Sequence, residues 1–299
     1  MSVRIIEVGP RDGLQNEKKI LDTQTKVDFI LMLIAAGFQT IEATSFVRPD
    51  KIPQMADAEQ LMKLLANKGA DLSKLPCLVP NLKGLELAQN LGVKEIAVFT
   101  ATSEEFNKKN INASIDESFK RIAEVCREAK HSGQKIRGYV STVFGCPYEG
   151  KTSLDSLKKV TQALFDLGCY EVSLGDTIGV GQPEQVKSVY QTVKSHFDSQ
   201  KIAWHFHDTK GIALANIYSA YQEGARVFDS SAGGLGGCPY AKGASGNVAS
   251  EDVVQMFELM GVSTGVDLEK LTAASSLILK ALGRESASKA YQAFIAEKV

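Results

Sequence analysis

The charges of this chain leave no sign in excess. Thirty-four Lys and Arg against thirty-five Asp and Glu give a net charge of -1, so there is no basic footprint for nucleic acid or an anionic membrane surface. Neither nucleic acid nor membrane is expected as a partner. The five cysteines (Cys77, Cys126, Cys146, Cys169, Cys238) are odd in number, far apart and without a C-x-x-C pair. That argues against a disulfide framework or structural zinc and for a reducing compartment, read here as the cytoplasm. Met1-Ser2-Val3-Arg4 leads straight into a strand pattern, so no secretory signal is expected, and the longest apolar run, Phe29 to Ala36, is too short to span a bilayer. No G-x-G-x-x-G or Walker A sequence occurs, which speaks against a doubly wound nucleotide-binding sheet. Histidine is scarce, with only four in 299 residues.

What is present has a regular rhythm. Short β-branched runs alternate with segments of helical period, the pattern of βα units on a parallel sheet. Strands are expected at Val3–Val8, Thr40–Ser45, Leu75–Val79, Glu95–Thr100, Ile136–Phe144, Tyr170–Leu174, Ile202–His207 and Val227–Ser231. Helices are expected at Thr23–Ala36, Leu82–Leu91, Ile115–His131, Leu154–Leu167, Pro183–Phe197, Ile212–Gln222 and Ser250–Met260, with a further one at Leu268–Leu282 and a short tail. The expectation is an α/β fold, a (β/α)8 TIM barrel with an additional C-terminal helix, forming a single catalytic domain over residues 1–299. The polar connections after strands one, two, four and eight read as active-site loops.

In a barrel the chemistry sits at the C-terminal ends of the strands. His205 and His207, at i and i+2 in the seventh strand, point to the same side, about 6.5–7 Å apart along it. With Asp12 from Gly9-Pro10-Arg11-Asp12-Gly13-Leu14-Gln15-Asn16-Glu17 they form a two-histidine, one-carboxylate set that leaves positions open for substrate and water. Asn247 offers a further donor. Mixed oxygen and nitrogen donors without thiolate suit a divalent cation such as Mg²⁺ or Mn²⁺, with zinc an alternative. Glu42 lies in an otherwise apolar strand and requires a partner, for which Arg11 one strand over is the candidate. Strand six ends in Gly175-Asp176-Thr177. The stretch Gly233 to Asn247 holds six glycines and Cys238, and reads as a mobile flap that delivers this thiol on closure.

These residues stand within longer motifs: EVGPRDGLQNE from Glu7, ATSFV from Ala43, PNLKG from Pro80, KKNIN from Lys108, RGYVS from Arg137, GCPYEGK from Gly145, GCYEVSLGDTIGVG from Gly168, HFHDTKG from His205 and GLGGCPYAKGASGN from Gly234. Over nearly the whole chain they resemble the 3-hydroxy-3-methylglutaryl-CoA lyase family of metal-dependent barrels. The resemblance implies Asp12, His205, His207 and Asn247 as metal ligands; Arg11, Asp12, Glu42, Asp176, His205 and Cys238 as catalytic residues; and Arg11, Gln15 and Thr177 as substrate contacts. It implies an acyl-CoA substrate, a Mg²⁺ or Mn²⁺ cofactor, and a homo-oligomer, dimer or higher. The implied reaction cleaves 3-hydroxy-3-methylglutaryl-CoA to acetoacetate and acetyl-CoA. His205 or Asp12 would be the general base, Arg11 would face the enolate oxygen with Glu42 holding it, and Cys238 would protonate the enolate carbon. A condensing synthase of the isopropylmalate or citramalate type is the alternative.

Overall fold

The computed structural model describes residues 2–237 and 246–298. Eight strands, β1 (Arg4–Glu7), β2 (Thr44–Ser45), β3 (Cys77–Leu78), β4 (Glu95–Ala101), β5 (Lys135–Ser141), β6 (Glu171–Asp176), β7 (Ile202–Phe206) and β8 (Val227–Ser230), pair in the order β1-β8-β7-β6-β5-β4-β3-β2, every pair parallel. The two ends of that order meet. Glu7 bridges Ile41, with Glu42 N donating to Glu7 O at 2.8 Å, and this closes the sheet into a (β/α)8 barrel. β2 is shorter than its β-branched run: Ile41 N and Ala43 N donate to Lys74 O and Pro76 O at 2.9 Å, but only Thr44 and Ser45 pair in register with β3. Around β3, Pro76 has no N–H and restricts the ladder to Cys77 and Leu78. β5 stops at Ser141 rather than Phe144 because Thr142 takes φ +60, outside any strand conformation.

The helices α1 (Thr23–Ala35), α2 (Ala58–Asn67), α3 (Leu82–Asn90), α4 (Glu104–Ile111), α5 (Ile115–His131), α6 (Leu154–Asp166), α7 (Pro183–His196), α8 (Ala213–Glu223) and α9 (Ser250–Leu259) surround the sheet, followed by α10 (Leu268–Leu282) and α11 (Lys289–Ala296). Their starts are written locally: Asp22, Asn81, Ser103, Ser153 and Asp267 each accept a backbone N–H of the first turn, and Ser114 with Glu117 forms a reciprocal capping box. α2 lies inside what the sequence presents as a polar connection. Its buried residues Ala58, Leu61, Met62 and Leu65 do keep helical spacing, but Asp57 before it makes no cap and pairs instead with Lys26 of α1 at 2.8 Å. α4 and α11 also fall where a loop and a tail are expected; each is a short helix started by a serine cap. No helix among the described residues is long and apolar enough to cross a membrane.

Inside the barrel the filling is partly polar. Ile6, Val8, Ala203 and Val227 form a small apolar cluster. Beside them, with Asp229 in register with Ile6 and Ser173 with Ala203, Arg137, Glu171, Ser173 and Asp229 are all buried. The larger apolar core lies between sheet and helices.

Candidate active site

The first βα turn is helical. Beyond the end of β1 at Glu7, a single wide π-type turn over Gly9–Gly13, with Pro10 in its first positions, brings Arg11 and Asp12 to the C-terminal mouth of the barrel. Gly13 is packed so closely that an added Cβ would lie 2.7 Å from Ser231 Oγ. Arg11 is buried and reaches across the closing seam: Nε donates to Glu42 Oε2 at 2.7 Å, NH2 approaches the same oxygen at 2.6 Å, and NH1 donates to Asp12 Oδ1 at 2.7 Å. The expected Arg11–Glu42 pairing is therefore present. Tyr139 completes this group, with its hydroxyl 3.2 Å from Glu42 Oε2 and its ring 5.6 Å from the Arg11 guanidinium. Burial opposes the charge of Arg11, but Glu42 and Asp12 outweigh it and hold the guanidinium firmly cationic. Burial raises Glu42 above the usual carboxylate range even though Arg11 favours its ionised form.

Asp12, His205 and His207 converge, each offering one ligand atom within 4.8 Å of the others. The two imidazole rings lie 5.2 Å apart. Asn247 joins them through an isolated bridge between His207 and Asn247, and its Nδ2 donates to Asp12 Oδ2 at 2.9 Å and to Leu235 O at 3.2 Å. The loop glycines serve this approach. A Cβ on Gly236, at φ +115, would sit 2.8 Å from Asn247 Nδ2, and one on Gly246, at φ +74, would sit 2.7 Å from the Gly236 carbonyl. Part of the glycine content is thus required by backbone conformation and close contact. Cys238, with the central part of the expected flap (238–245), lies outside the described residues.

The donor set fits a cation. His207 Nδ1 and Asn247 Oδ1 are buried without a hydrogen-bond partner among the described residues, an arrangement that costs energy unless something else satisfies them. Burial pushes Asp12 up, but Arg11, the two imidazoles and Asn247 more than offset this and keep it an anion. His207 is pushed down to about 4, first by burial and then by His205, so it is the neutral imidazole a metal requires. For His205 burial also disfavours charge, yet Asp229 and Asp12 raise it above the ordinary imidazole value.

The remaining sequence candidates occupy supporting positions. Gln15 Nε2 donates to Asp12 Oδ1 at 2.9 Å. Asp176 is buried at the end of β6, where it accepts from Val180 N at 3.0 Å and Gly181 N at 2.9 Å. Thr177 Oγ1 accepts from Thr142 N at 2.8 Å. Thr142, a β-branched residue at positive φ, is held there by this bond and by Thr102, which donates to Thr142 O at 2.7 Å. Sequence reasoning did not single out Tyr139, Thr142, Asp229 or Arg137. Tyr139 and Arg137 alternate along β5 in phase with an inward face, which was the available signal; the backbone of Thr142 carried none.

Together these features define a class: a β/α barrel whose C-terminal mouth brings two histidines and a carboxylate, a set able to hold a cation, beside a carboxylate-clamped arginine. The HMGL-like family model matches residues 2–278, and the chain belongs to that family. It is 51% identical over 291 residues to the mitochondrial hydroxymethylglutaryl-CoA lyase of Macaca fascicularis, covering 97% of this chain and 89% of the relative. It is 50% identical over 291 residues to the cytoplasmic 3-hydroxy-3-methylglutaryl-CoA lyase of Rattus norvegicus, covering 97% and 84%. The crystal structure of hydroxymethylglutaryl-CoA lyase from Pseudomonas aeruginosa superposes with a TM-score of 0.95 at 46% identity, covering 99% of this chain and 98% of that one.

Proposed function

We propose that this protein is a carbon–carbon lyase that cleaves 3-hydroxy-3-methylglutaryl-CoA to acetoacetate and acetyl-CoA. The observation that carries the reading is the convergence of Arg11 with Asp12, His205 and His207 at one barrel mouth, in a chain about half identical to lyases of that name along nearly its whole length. The condensing-synthase alternative has no such support.

A divalent cation held by Asp12, His205 and His207, with Asn247 Oδ1 as a further donor, would supply the Lewis acidity that a tertiary hydroxyl needs before it gives up its proton. Mg²⁺ or Mn²⁺ is proposed, on the mixed oxygen and nitrogen donors. Of the two bases considered we take His205, which would exchange its Nε2 bond to the cation for the substrate proton, since one lone pair cannot serve both. Asp12 already accepts from Arg11, Gln15 and Asn247, which lowers its affinity for a proton, whereas that of His205 is raised. Cleavage places negative charge on the thioester oxygen, and Arg11 offers a permanent, rigidly held cation for it. Glu42 and Tyr139 fix its orientation. Gln15, which donates to Asp12, and Thr177, which holds Thr142 N, are proposed as substrate contacts, and Asp176 as a further catalytic residue. Cys238 is proposed, on sequence grounds, as the acid that protonates the enolate carbon.

The test is product analysis with 3-hydroxy-3-methylglutaryl-CoA before and after exhaustive chelation. Acetoacetate and acetyl-CoA in equal amounts, lost with chelator and restored by Mg²⁺ or Mn²⁺, are expected. Undiminished turnover without metal refutes the cation's role. Cys238→Ser is expected to lower turnover strongly with Mn²⁺ affinity unchanged, because a hydroxyl is a much weaker acid than a thiol. A cytoplasmic location and a homo-oligomeric state belong to the same proposal. The first rests on the four free, buried thiols among the described residues, the second on Leu259, 82% exposed beside Met260 at the end of α9. Light scattering of the purified protein, and of Leu259→Lys, checks the second.

A further inference from the structure

Beneath the cation site lies an ionic cluster that the reaction leaves unassigned. Asp229 on β8 pairs in register with His205 on β7, so both side chains point into the barrel. Its carboxylate is buried and fixed by donors from two other strands: Arg137 of β5 reaches Oδ1 at 2.7 Å and Oδ2 at 3.3 Å, and Ser173 of β6 donates to Oδ2 at 2.7 Å. Arg137 is itself anchored by Glu171 at 2.8 Å, which also pairs with Arg4. A carboxylate gripped by a forked arginine and a hydroxyl does not swing away. Its Oδ2 stands 3.4 Å from His205 Nδ1, a buried nitrogen that makes no hydrogen bond of ordinary geometry among the described residues.

We propose that Asp229 is a positioning residue for His205, holding the imidazole proton on Nδ1 so that the Nε2 lone pair faces Asp12 and His207. A neutral imidazole carries its proton on one nitrogen or the other, and only the Nδ1–H form leaves Nε2 able to ligate a cation or receive a proton. The present separation exceeds a formed bond by about half an ångström, which a small rotation of the ring removes. Arg137, Glu171 and Arg4 then act as the anchor, tying the orientation of a ligand at the mouth to ion pairs deeper in the barrel. The inference rests on reading His205 as part of the cation site, and the test separates the two.

With only four histidines in the chain, ¹⁵N-histidine labelling gives a spectrum simple enough to assign His205 by comparison with His205→Gln. In the metal-free protein, at a pH where the imidazoles are neutral, His205 is expected as the Nδ1–H tautomer. In Asp229→Asn the tautomer is expected to change, and the dissociation constant for Mn²⁺ to rise roughly 10- to 100-fold. An Nε2–H resonance for His205 in the unsubstituted protein overturns the proposal whether or not the variant folds. A folded Asp229→Asn protein that keeps both the tautomer and the Mn²⁺ affinity overturns it equally. Failure of the unsubstituted protein to bind Mn²⁺ removes the cation site instead, while the tautomer still decides the role of Asp229.

Discussion

Arg11 serves two carboxylates at once, and its geometry follows from that. Three of its nitrogens are engaged, by Glu42 Oε2 and Asp12 Oδ1, so the plane of the guanidinium cannot rotate freely. Arg11→Lys retains the charge but cannot make these bonds together. A fall in kcat of roughly 10²–10³-fold is expected, with a stability loss of only about 1–2 kcal/mol. Steady-state kinetics alongside thermal melts check it; near-parental kcat would remove Arg11 from the chemistry. Asn247 holds Asp12 Oδ2 at 2.9 Å through Nδ2 and leaves Oδ1 for the proposed cation. Asn247→Ala is expected to weaken Mn²⁺ binding about tenfold or more by calorimetry, and an unchanged affinity would show the amide to be dispensable. At this scale the sequence was informative wherever a residue broke its local pattern. Glu42 in an apolar strand asked for a partner, and Arg11 is that partner. Asp229 sits in a strand as well, but nothing in Val-Phe-Asp-Ser says that Arg137, ninety-two positions earlier, lies against it.

Among the elements, the turn after β1 and the loop after β8 are joined by a buried carboxylate. Glu7 accepts from Gly9 N at 2.7 Å, Ala232 N at 3.0 Å and Ser250 Oγ at 2.6 Å, while Glu251 accepts from Gly233 N at 3.0 Å. Burial pushes Glu7 up to about 8 against the pull of those donors, and Glu251 up to about 7. Each therefore keeps a proton in the folded state at pH values where the unfolded chain has released it. Their contribution to stability is complete below the ordinary carboxylate range and is lost as pH rises through about 7 to 8. The slope is about 1.4 kcal/mol per pH unit for each such proton. Glu7→Gln mimics the protonated form and is expected to reduce by about half the loss of stability between about pH 5.5 and 7, measured by urea melts. An identical slope would mean that Glu7 is ionised throughout. Helix starts such as Ser114 with Glu117 were readable because the cap is contained in four residues. α2 was not, because Asp57, which would have marked it, is taken by Lys26 from another helix.

For the whole molecule the proposed cation site would have a mechanical consequence. Its donors come from the turn after β1, from β7 and its end, and from the segment before α9, so a bound ion ties the closing seam to the far end of the chain. Binding to the folded state alone raises stability by about 2.7 kcal/mol at a hundred times the dissociation constant. The melting temperature is accordingly expected to climb with Mg²⁺ concentration in scanning calorimetry, and His207→Ala to abolish most of that climb. A parental response in His207→Ala would exclude this histidine as a ligand.

What the sequence determined by itself is whatever a short window can hold: the alternation of strand and helix, the caps, the same-side placement of His205 and His207, and the turn that carries Arg11 and Asp12. Spacing alone was enough for these, since side-chain direction repeats every two residues in a strand and about every 3.6 in a helix. Only the tertiary structure decided where the sheet closes, because one bridge between Glu7 and Ile41 makes neighbours of the first two strands, which stand at opposite ends of the pairing order. Closure brought Glu42 to Arg11, while the pairing of β8 with β1 and β7 set Asn247 beside Asp12 and Asp229 beside His205. Those contacts depend on the curvature and stagger of eight strands acting together, which no local stretch of the chain encodes.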